Sequence, residues 1–268
     1  VYSIPMLLLI GWRAEPGVKD EPQHTRQGKI TKELLDLLGI PNRVLPDTLD
    51  AAKECLEIAI RTTRNENTPF AILVKSGTFG PFSMQAAQDE NASLKLTREE
   101  ALATLLTLMD AKDVVVSTTG VTSRELFELR EKSKAGHSRD FLTVGSMGHC
   151  SQIALGMARN KSARNVFCLD GDGAAIMHLG AFAIIGSAGP ANLRHILFNN
   201  GAHESVGGQP TAGFSIDFPA IAQGCGYKAC YTASGKSELA ALFREFQEKP
   251  GPAFLEIRIK KWSRKDLG

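Results

Sequence analysis

The five cysteines, Cys55, Cys150, Cys168, Cys225 and Cys230, form no CxxC pair and are odd in number. That pattern argues against a disulfide framework or a zinc site and points to a reducing cytoplasm. The amino-terminal apolar run covers only residues 4–10 and is interrupted by Pro5, far short of the ~20 residues that span a bilayer. No charged signal-peptide region precedes it, so it reads as a buried strand and no membrane partner is expected. Net charge is only +2, and no basic stripe with interleaved aromatics occurs, which leaves nucleic acid without a binding surface. No GxGxxG stands at a first strand-to-helix turn, which disfavours a dinucleotide-binding Rossmann protein. There is also no internal repeat and no low-complexity segment.

What is present is 268 residues with 43% hydrophobic side chains, enough for one large core or two modest ones. Apolar runs of strand length alternate with helical patterns, which predicts an α/β fold with doubly wound parallel sheets. A strand over 6–10 leads into a loop over 13–24. Helices are expected over 31–38, stopped by Gly39 and Pro41, and over 47–63, followed by a strand over 70–75. Residues 76–95 hold Gly77, Gly80, Pro81 and a polar run, the composition of a linker. Thr97-Arg98-Glu99-Glu100 is a capping box that opens the next helix, and the last strand is expected over 253–259.

The most informative segment is Asp170-Gly171-Asp172-Gly173-Ala174, separated by twenty-five residues after Gly173 from Asn199-Asn200-Gly201. Short apolar runs over 165–169 and 194–198 suit buried parallel strands, and 174–187 has helical spacing, so the segment is one βαβ unit. If the strands are neighbours, ~4.8 Å apart, the Asp172 carboxylate and the Asn200 amide meet at the carboxyl edge of the sheet. Gly171 and Gly173 permit a tight turn, and the following helix aims its free N–H groups and positive dipole end at a phosphate. Mg²⁺ suits one carboxylate shared with neutral carbonyls, waters and phosphate. The plainer alternative is two unrelated turns. Upstream, residues 114–120 form a buried strand that ends in hydroxyls and a glycine, and Ser123-Arg124-Glu125-Leu126-Phe127 opens a helix. This is either a second phosphate-facing lip or a capped connection. Gly145-Ser146-Met147-Gly148 then leads into a small-residue helix over 151–159.

The GDG and NN pair resembles the signature of the thiamin diphosphate-dependent decarboxylases. On that resemblance Asp172, Asn200 and the Ala202 carbonyl bind Mg²⁺, while Gly171, Gly173, Ala174 and Asn199 belong to the cofactor site. Thr119 and Gly120 inherit diphosphate contacts. Gly145-Ser146-Met147-Gly148 resembles the family's G-S-Φ-G, with Ser146 in the turn and Met147 as the apolar wedge beneath the thiazolium. The run Asn199-Asn200-Gly201-Ala202-His203-Glu204-Ser205-Val206-Gly207-Gly208-Gln209-Pro210-Thr211 and the stretch over 11–24 are similar to the phosphonopyruvate decarboxylases, with the sulfopyruvate decarboxylase β chain as a close relative.

This narrower resemblance implies decarboxylation of 3-phosphonopyruvate to phosphonoacetaldehyde and CO₂, a step of phosphonate biosynthesis. Sulfopyruvate decarboxylation and a noncatalytic thiamin-binding subunit are the alternatives. The substrate is then a small 2-oxo acid with a second anionic group, for which Arg13, Lys19 and Arg124 are candidate cations. Lys19 also reads as a solvated charge, and Arg124 as a helix partner of Glu128. His203 and His24 are candidate proton carriers, the former also a loop-fixing residue. His149 reads as structural and His178 as a core residue.

The resemblance divides the chain into 1–80, the carboxyl-terminal part of a pyrimidine-binding domain, a linker over 81–96, and a diphosphate- and magnesium-binding domain over 97–268. The first segment is too small for a whole pyrimidine domain, so its amino-terminal half is expected outside this sequence or on another chain. The glutamate that meets the cofactor's aminopyrimidine belongs to that half, and no acid here fits its motif. A homodimer or higher homo-oligomer is expected.

Overall fold

The computed structural model describes residues 4–81 and 93–267. The chain divides into two compact units, Val1–Ala87 and Gln88–Gly268. Most of the expected linker, residues 82–92, lies outside the described residues.

The first unit runs β1 (Met6–Gly11), a 3₁₀ turn over Pro22–His24, α1 (Thr25–Leu37), β2 (Asn42–Val44), α2 (Leu49–Glu66) and β3 (Pro69–Val74). Its three strands are parallel in the order β1-β3-β2. Side chains alternate across a strand, so β3 feeds two cores. Ala71 and Leu73 pack with Leu35, whereas Phe70 and Ile72 pack with Ala59 of α2. β1 is not the buried strand the sequence suggests. It is an edge strand whose Leu8 and Ile10 reach the core while Leu9 is 63% exposed. Two further differences have local causes. β2 has no apolar run to announce it, and α1 starts six residues earlier than expected because Gly28 breaks the periodicity. That glycine is needed for a close approach, since a Cβ there would stand 1.8 Å from the Ala14 carbonyl oxygen.

The second unit continues with α3 (Arg98–Leu108), β4 (Val114–Ser117), α4 (Val121–Ser133), β5 (Asp140–Leu142), α5 (Cys150–Asn160) and β6 (Val166–Gly171). Then come α6 (Asp172–Met177), α7 (Ala181–Ala188), β7 (Leu193–Asn199), β8 (Ala202–His203), β9 (Gln209–Pro210), α8 (Phe218–Gly224), β10 (Ala229–Ala233), α9 (Lys236–Glu248) and β11 (Ala253–Arg258). The capping box forms as expected: Thr97 Oγ1 accepts the Glu100 N–H and the Glu100 carboxylate accepts the Thr97 N–H.

Six parallel strands lie in the order β10-β11-β7-β6-β4-β5. Phe167 and Leu169 of β6 pack on one face with Leu102, Leu105, Leu126, Phe243 and Phe246, whereas Val166 and Cys168 pack on the other with Ala154, Phe182, Ile185 and Phe218. Helices therefore cover both faces, the doubly wound arrangement, and each large buried side chain contributes ~1.5–3 kcal/mol. The winding reverses between β4 and β6, which opens a crevice at their carboxyl ends.

The helix expected over 174–187 is two helices. His178 leaves helical geometry, at φ −133° and ψ 47°, and α7 begins three residues later. Among the described residues no helix is long and apolar enough to cross a membrane.

Candidate functional site

The crevice between β4 and β6 holds most of the residues that the motifs single out, though Gly120, Ser146 and Asn199 do not line it. Thr118, Thr119, Val121, Thr122, Met147, Gly171, Asp172, Gly173, Ala174, Asn200, Ala202, His203 and Ser205 line one cleft. Its near lip is the turn from β4 into α4. Gly120 caps α4 at φ 94°, a left-handed conformation suited to glycine, so the helix opens at Val121 rather than Ser123. Hydroxyls of Thr118, Thr119 and Thr122 stand beside the start of this helix, where unpaired N–H groups favour an anion. Thr119 Oγ1 also accepts the Gly145 N–H at 3.1 Å, which ties the lip to the 145–148 loop. Gly145, Ser146 and Gly148 there have positive φ, and the turn presents Met147 to the cleft while Ser146 faces solvent.

The far side is built by β6 and β7, which pair with Gly171 opposite Phe198. Asp172 is 2% exposed. Its carboxylate accepts the Thr211 hydroxyl and the N–H groups of Gly173 and Asn200, but no cationic side chain pairs with it among the described residues. Burial, outweighing these bonds, holds its pKa above the ordinary value. Asn200, 3% exposed, donates from Nδ2 to Glu204 Oε2 at 2.9 Å and accepts the Ala202 N–H on Oδ1 at 3.1 Å.

The glycines work differently from the expectation of a tight turn. Gly171 is extended, at φ −117°, and Gly173 is helical. What Gly173 supplies is space, because a Cβ there would stand 2.4 Å from the His203 ring. Gly213 does the same for Asp172 Oδ2, at 2.5 Å.

Asn199 lies beneath the cleft rather than in it. It is fully buried and donates to the Gly213 carbonyl and to Glu256 Oε1, both at 2.7 Å, so its amide is spent on holding the floor. Arg124 is exposed on α4 and does not line the cleft. His178 is not a core residue. It is exposed and packs on His149, ring centroids 4.3 Å apart.

Arg13, Lys19 and His24 belong to the first unit. There Asp20 binds Arg13 through two bonds of 2.8 and 2.6 Å and takes His24 Nδ1 at 3.0 Å, while Lys19 is exposed. The Arg13 and His24 contacts, with N–H bonds from Glu21 and Ala14, push the Asp20 pKa well below the ordinary carboxylate range. Asp20 therefore organises this loop, a role its place in a charged run does not advertise.

Sequence reasoning also missed Arg98 and Glu204. Both line the cleft, and Arg98 Nη2 meets Glu204 Oε2 at 2.5 Å. Burial alone raises Glu204, but Arg98 and the Ser263 N–H outweigh it and hold the carboxyl below its ordinary value. The only available signal was the capping box, which fixes Arg98 at the first turn of α3.

Comparison with known proteins agrees with this geometry. Residues 118–257 match the family model described as "Thiamine pyrophosphate enzyme, C-terminal TPP binding domain". A phosphonopyruvate decarboxylase of Streptomyces viridochromogenes is 33% identical over 278 aligned positions, which cover 99% of this chain and 68% of that protein. The sulfopyruvate decarboxylase β subunit of Methanocaldococcus jannaschii is 36% identical over 124 residues, 46% of this chain and 63% of that one. In fold, the chain is similar to the thiamine diphosphate-dependent 4-hydroxybenzoylformate decarboxylase of Rhodococcus jostii RHA1. The TM-score is 0.53 at 17% identity, over 69% of this chain and 36% of that one. The cleft at the β4–β6 reversal, the family match over residues 118–257 and the relative aligned over 99% of this chain agree, and the chain belongs to the thiamine pyrophosphate enzymes, within the phosphonopyruvate decarboxylase family.

Proposed function

We propose that this chain carries the diphosphate- and Mg²⁺-binding half of a decarboxylase acting on 3-phosphonopyruvate to give phosphonoacetaldehyde and CO₂. The observation that carries the reading is the alignment with a phosphonopyruvate decarboxylase over 99% of the chain. The donor set fits the cofactor. A buried carboxylate without a cationic partner, an amide oxygen and the Ala202 carbonyl suit a hard divalent ion, and hydroxyls beside the start of α4 suit a diphosphate.

Asp172, Asn200 and Ala202 hold the metal. Thr119, Gly120, Gly171, Gly173 and the Ala174 N–H face the diphosphate, with Ser146 setting the turn that offers Met147. The flexible thioether of Met147 fits against a ring from below. Asn199 serves the same site from underneath. Thiamin diphosphate, when bound, supplies a thiazolium that accepts the electron pair freed as CO₂ departs. His203 is the imidazole of the cleft and the residue proposed to pass a proton to the product carbon; His24 is the second candidate. Lys19, Arg124 and Arg13 are the cations proposed for the second anionic group, Arg13 by exchanging Asp20 for substrate. At least a homodimer is proposed, since the cofactor's other half requires a pyrimidine domain.

The β-subunit relative favours sulfopyruvate as the second reading. Both are tested by CO₂ release from phosphonopyruvate, sulfopyruvate and pyruvate, with thiamin diphosphate and Mg²⁺, by the complete enzyme that includes the pyrimidine domain and its glutamate. Preference for phosphonopyruvate supports the assignment, preference for sulfopyruvate moves it to the sister reaction, and release from neither refutes both. Asp172→Ala should abolish Mg²⁺-dependent cofactor binding in a calorimetric titration, and undiminished binding would rule out the metal site.

A further inference from the structure

We propose that Glu204, braced by Arg98, is a positioning residue that fixes the Asn200 side chain with its oxygen toward the divalent cation; the inference rests on the metal-binding reading above. A terminal amide has two ends of nearly equal size, and only the oxygen can ligate a metal. Something must therefore choose between them. The Asn200 Nδ2 donates to Glu204 Oε2 at 2.9 Å, and Oδ1 accepts the Ala202 N–H at 3.1 Å. Both bonds select the same orientation, and Oδ1 keeps a lone pair for a cation. A flipped amide would set its NH₂ against the Ala202 N–H and its oxygen against a carboxylate.

Glu204 is itself held at both ends. Oε2 also takes Arg98 Nη2 at 2.5 Å, and Oε1 accepts the Ser263 N–H at 2.5 Å. The side chains of Arg98 and Glu204 are 8% and 7% exposed, so water and salt screen this pair little. The guanidinium shares the oxygen that orients Asn200 and offsets the carboxylate's charge, which leaves Glu204 an orienting group rather than a competing ligand. Its partners lie far apart in sequence, 106 positions between Arg98 and Glu204 and 59 between Glu204 and Ser263, so the brace is a product of the tertiary fold. Outer partners of this kind set ligand orientation at metal sites.

Glu204→Gln keeps the size but not the function. Two acceptor oxygens become one oxygen and one NH₂, so a donor must face Arg98 and Asn200 or face Ser263. The test is Mn²⁺ titration of the full chain with thiamin diphosphate, followed by electron paramagnetic resonance. Glu204→Gln, once shown to be folded by circular dichroism, should bind Mn²⁺ about 10–100-fold more weakly, the range expected for loss of an outer partner. The double variant Arg98→Met, Glu204→Gln leaves no stranded buried charge and should show the same loss; it supplies the measurement if the single variant does not fold. Wild-type affinity in either folded variant overturns the proposal. Asp172→Asn, run alongside, separates the two levels. If it loses Mn²⁺ while Glu204→Gln does not, the metal site stands and the positioning role falls. If the wild type itself binds no Mn²⁺, both fall.

Discussion

Replacing Glu125 by glutamine should stabilise the cofactor-free protein at high pH and leave it unchanged in acid. Glu125 is 2% exposed, and its Oε2 has no hydrogen bond. The nearest cation, Arg98 Nη1, stands 3.7 Å away, and Arg98 is already committed to Glu204 at 2.5 Å. Burial is the main cause that raises the carboxyl from 4.5 to about 7, with Arg98 opposing it and Glu204 adding to it. The folded chain therefore keeps a proton that the unfolded chain releases near 4.5. Between the two values the folded state binds more protons, so this group's contribution to stability is full below 4.5, falls as pH rises, and is lost above about 7. At 1.36 kcal/mol per pH unit, that gap amounts to about 3 kcal/mol. Glutamine is neutral throughout and escapes the loss, while any change in its hydrogen bonding is the same at every pH and cancels in the comparison. Urea unfolding of wild type and Glu125→Gln from pH 4.5 to pH 8 measures the difference. The variant should gain about 3 kcal/mol relative to wild type across that range. A difference that does not change with pH would refute the account of Glu125 as a buried, protonated carboxyl.

Gly186→Ala should cost about 2–3 kcal/mol in the same unfolding assay, because its Cβ would stand 1.8 Å from the Cys225 carbonyl oxygen, a backbone atom that cannot swing aside. Gly173→Ala meets side chains alone, the His203 ring at 2.4 Å, which can rotate, and the Thr211 methyl at 3.3 Å. It should keep the fold but weaken cofactor binding in a calorimetric titration, and unchanged binding would remove His203 from the cofactor's surroundings. Met147→Ala should lower turnover more than Mn²⁺ affinity, since the residue lines the cleft without offering a metal ligand. Equal losses in both would argue against the wedge.

The sequence made the second unit legible because its central strands β6 and β7 are buried on both faces. β6 and β7 read as continuous apolar runs, and their parallel pairing puts Asp172 and the turn after Asn199 at one edge. Where the reading slipped, local pattern and tertiary setting disagreed. β1 has the composition of a buried strand but sits at an edge of its three-stranded sheet, and β2 is three residues of no marked hydrophobicity recruited by pairing with β3. The helix after Asp172 looks continuous because Ala, Ile and Leu recur through it. It breaks at His178, whose ring turns outward to pack on His149.

The site was legible in its motif residues and hidden in the residues that brace them. Motifs record what is close in sequence, whereas Arg98 and Glu204, or Asn199 and Glu256, 57 positions apart, are joined only by folding. The pair Asn199-Asn200 shows the limit most sharply. Side chains along a strand alternate in direction, and these two stand where β7 ends, so the first is drawn beneath the site and the second reaches the cleft. Asn199 locks the Gly213 loop, whose Cα leaves room for Asp172 Oδ2, to Glu256 of β11. Asn200 meets Glu204 and offers its oxygen. Reading both asparagines as cofactor ligands merges two tasks that the strand separates. The first holds in place the backbone against which Asp172 packs, and the second lines the cleft beside it. A single asparagine at the end of this strand would leave one of those tasks undone.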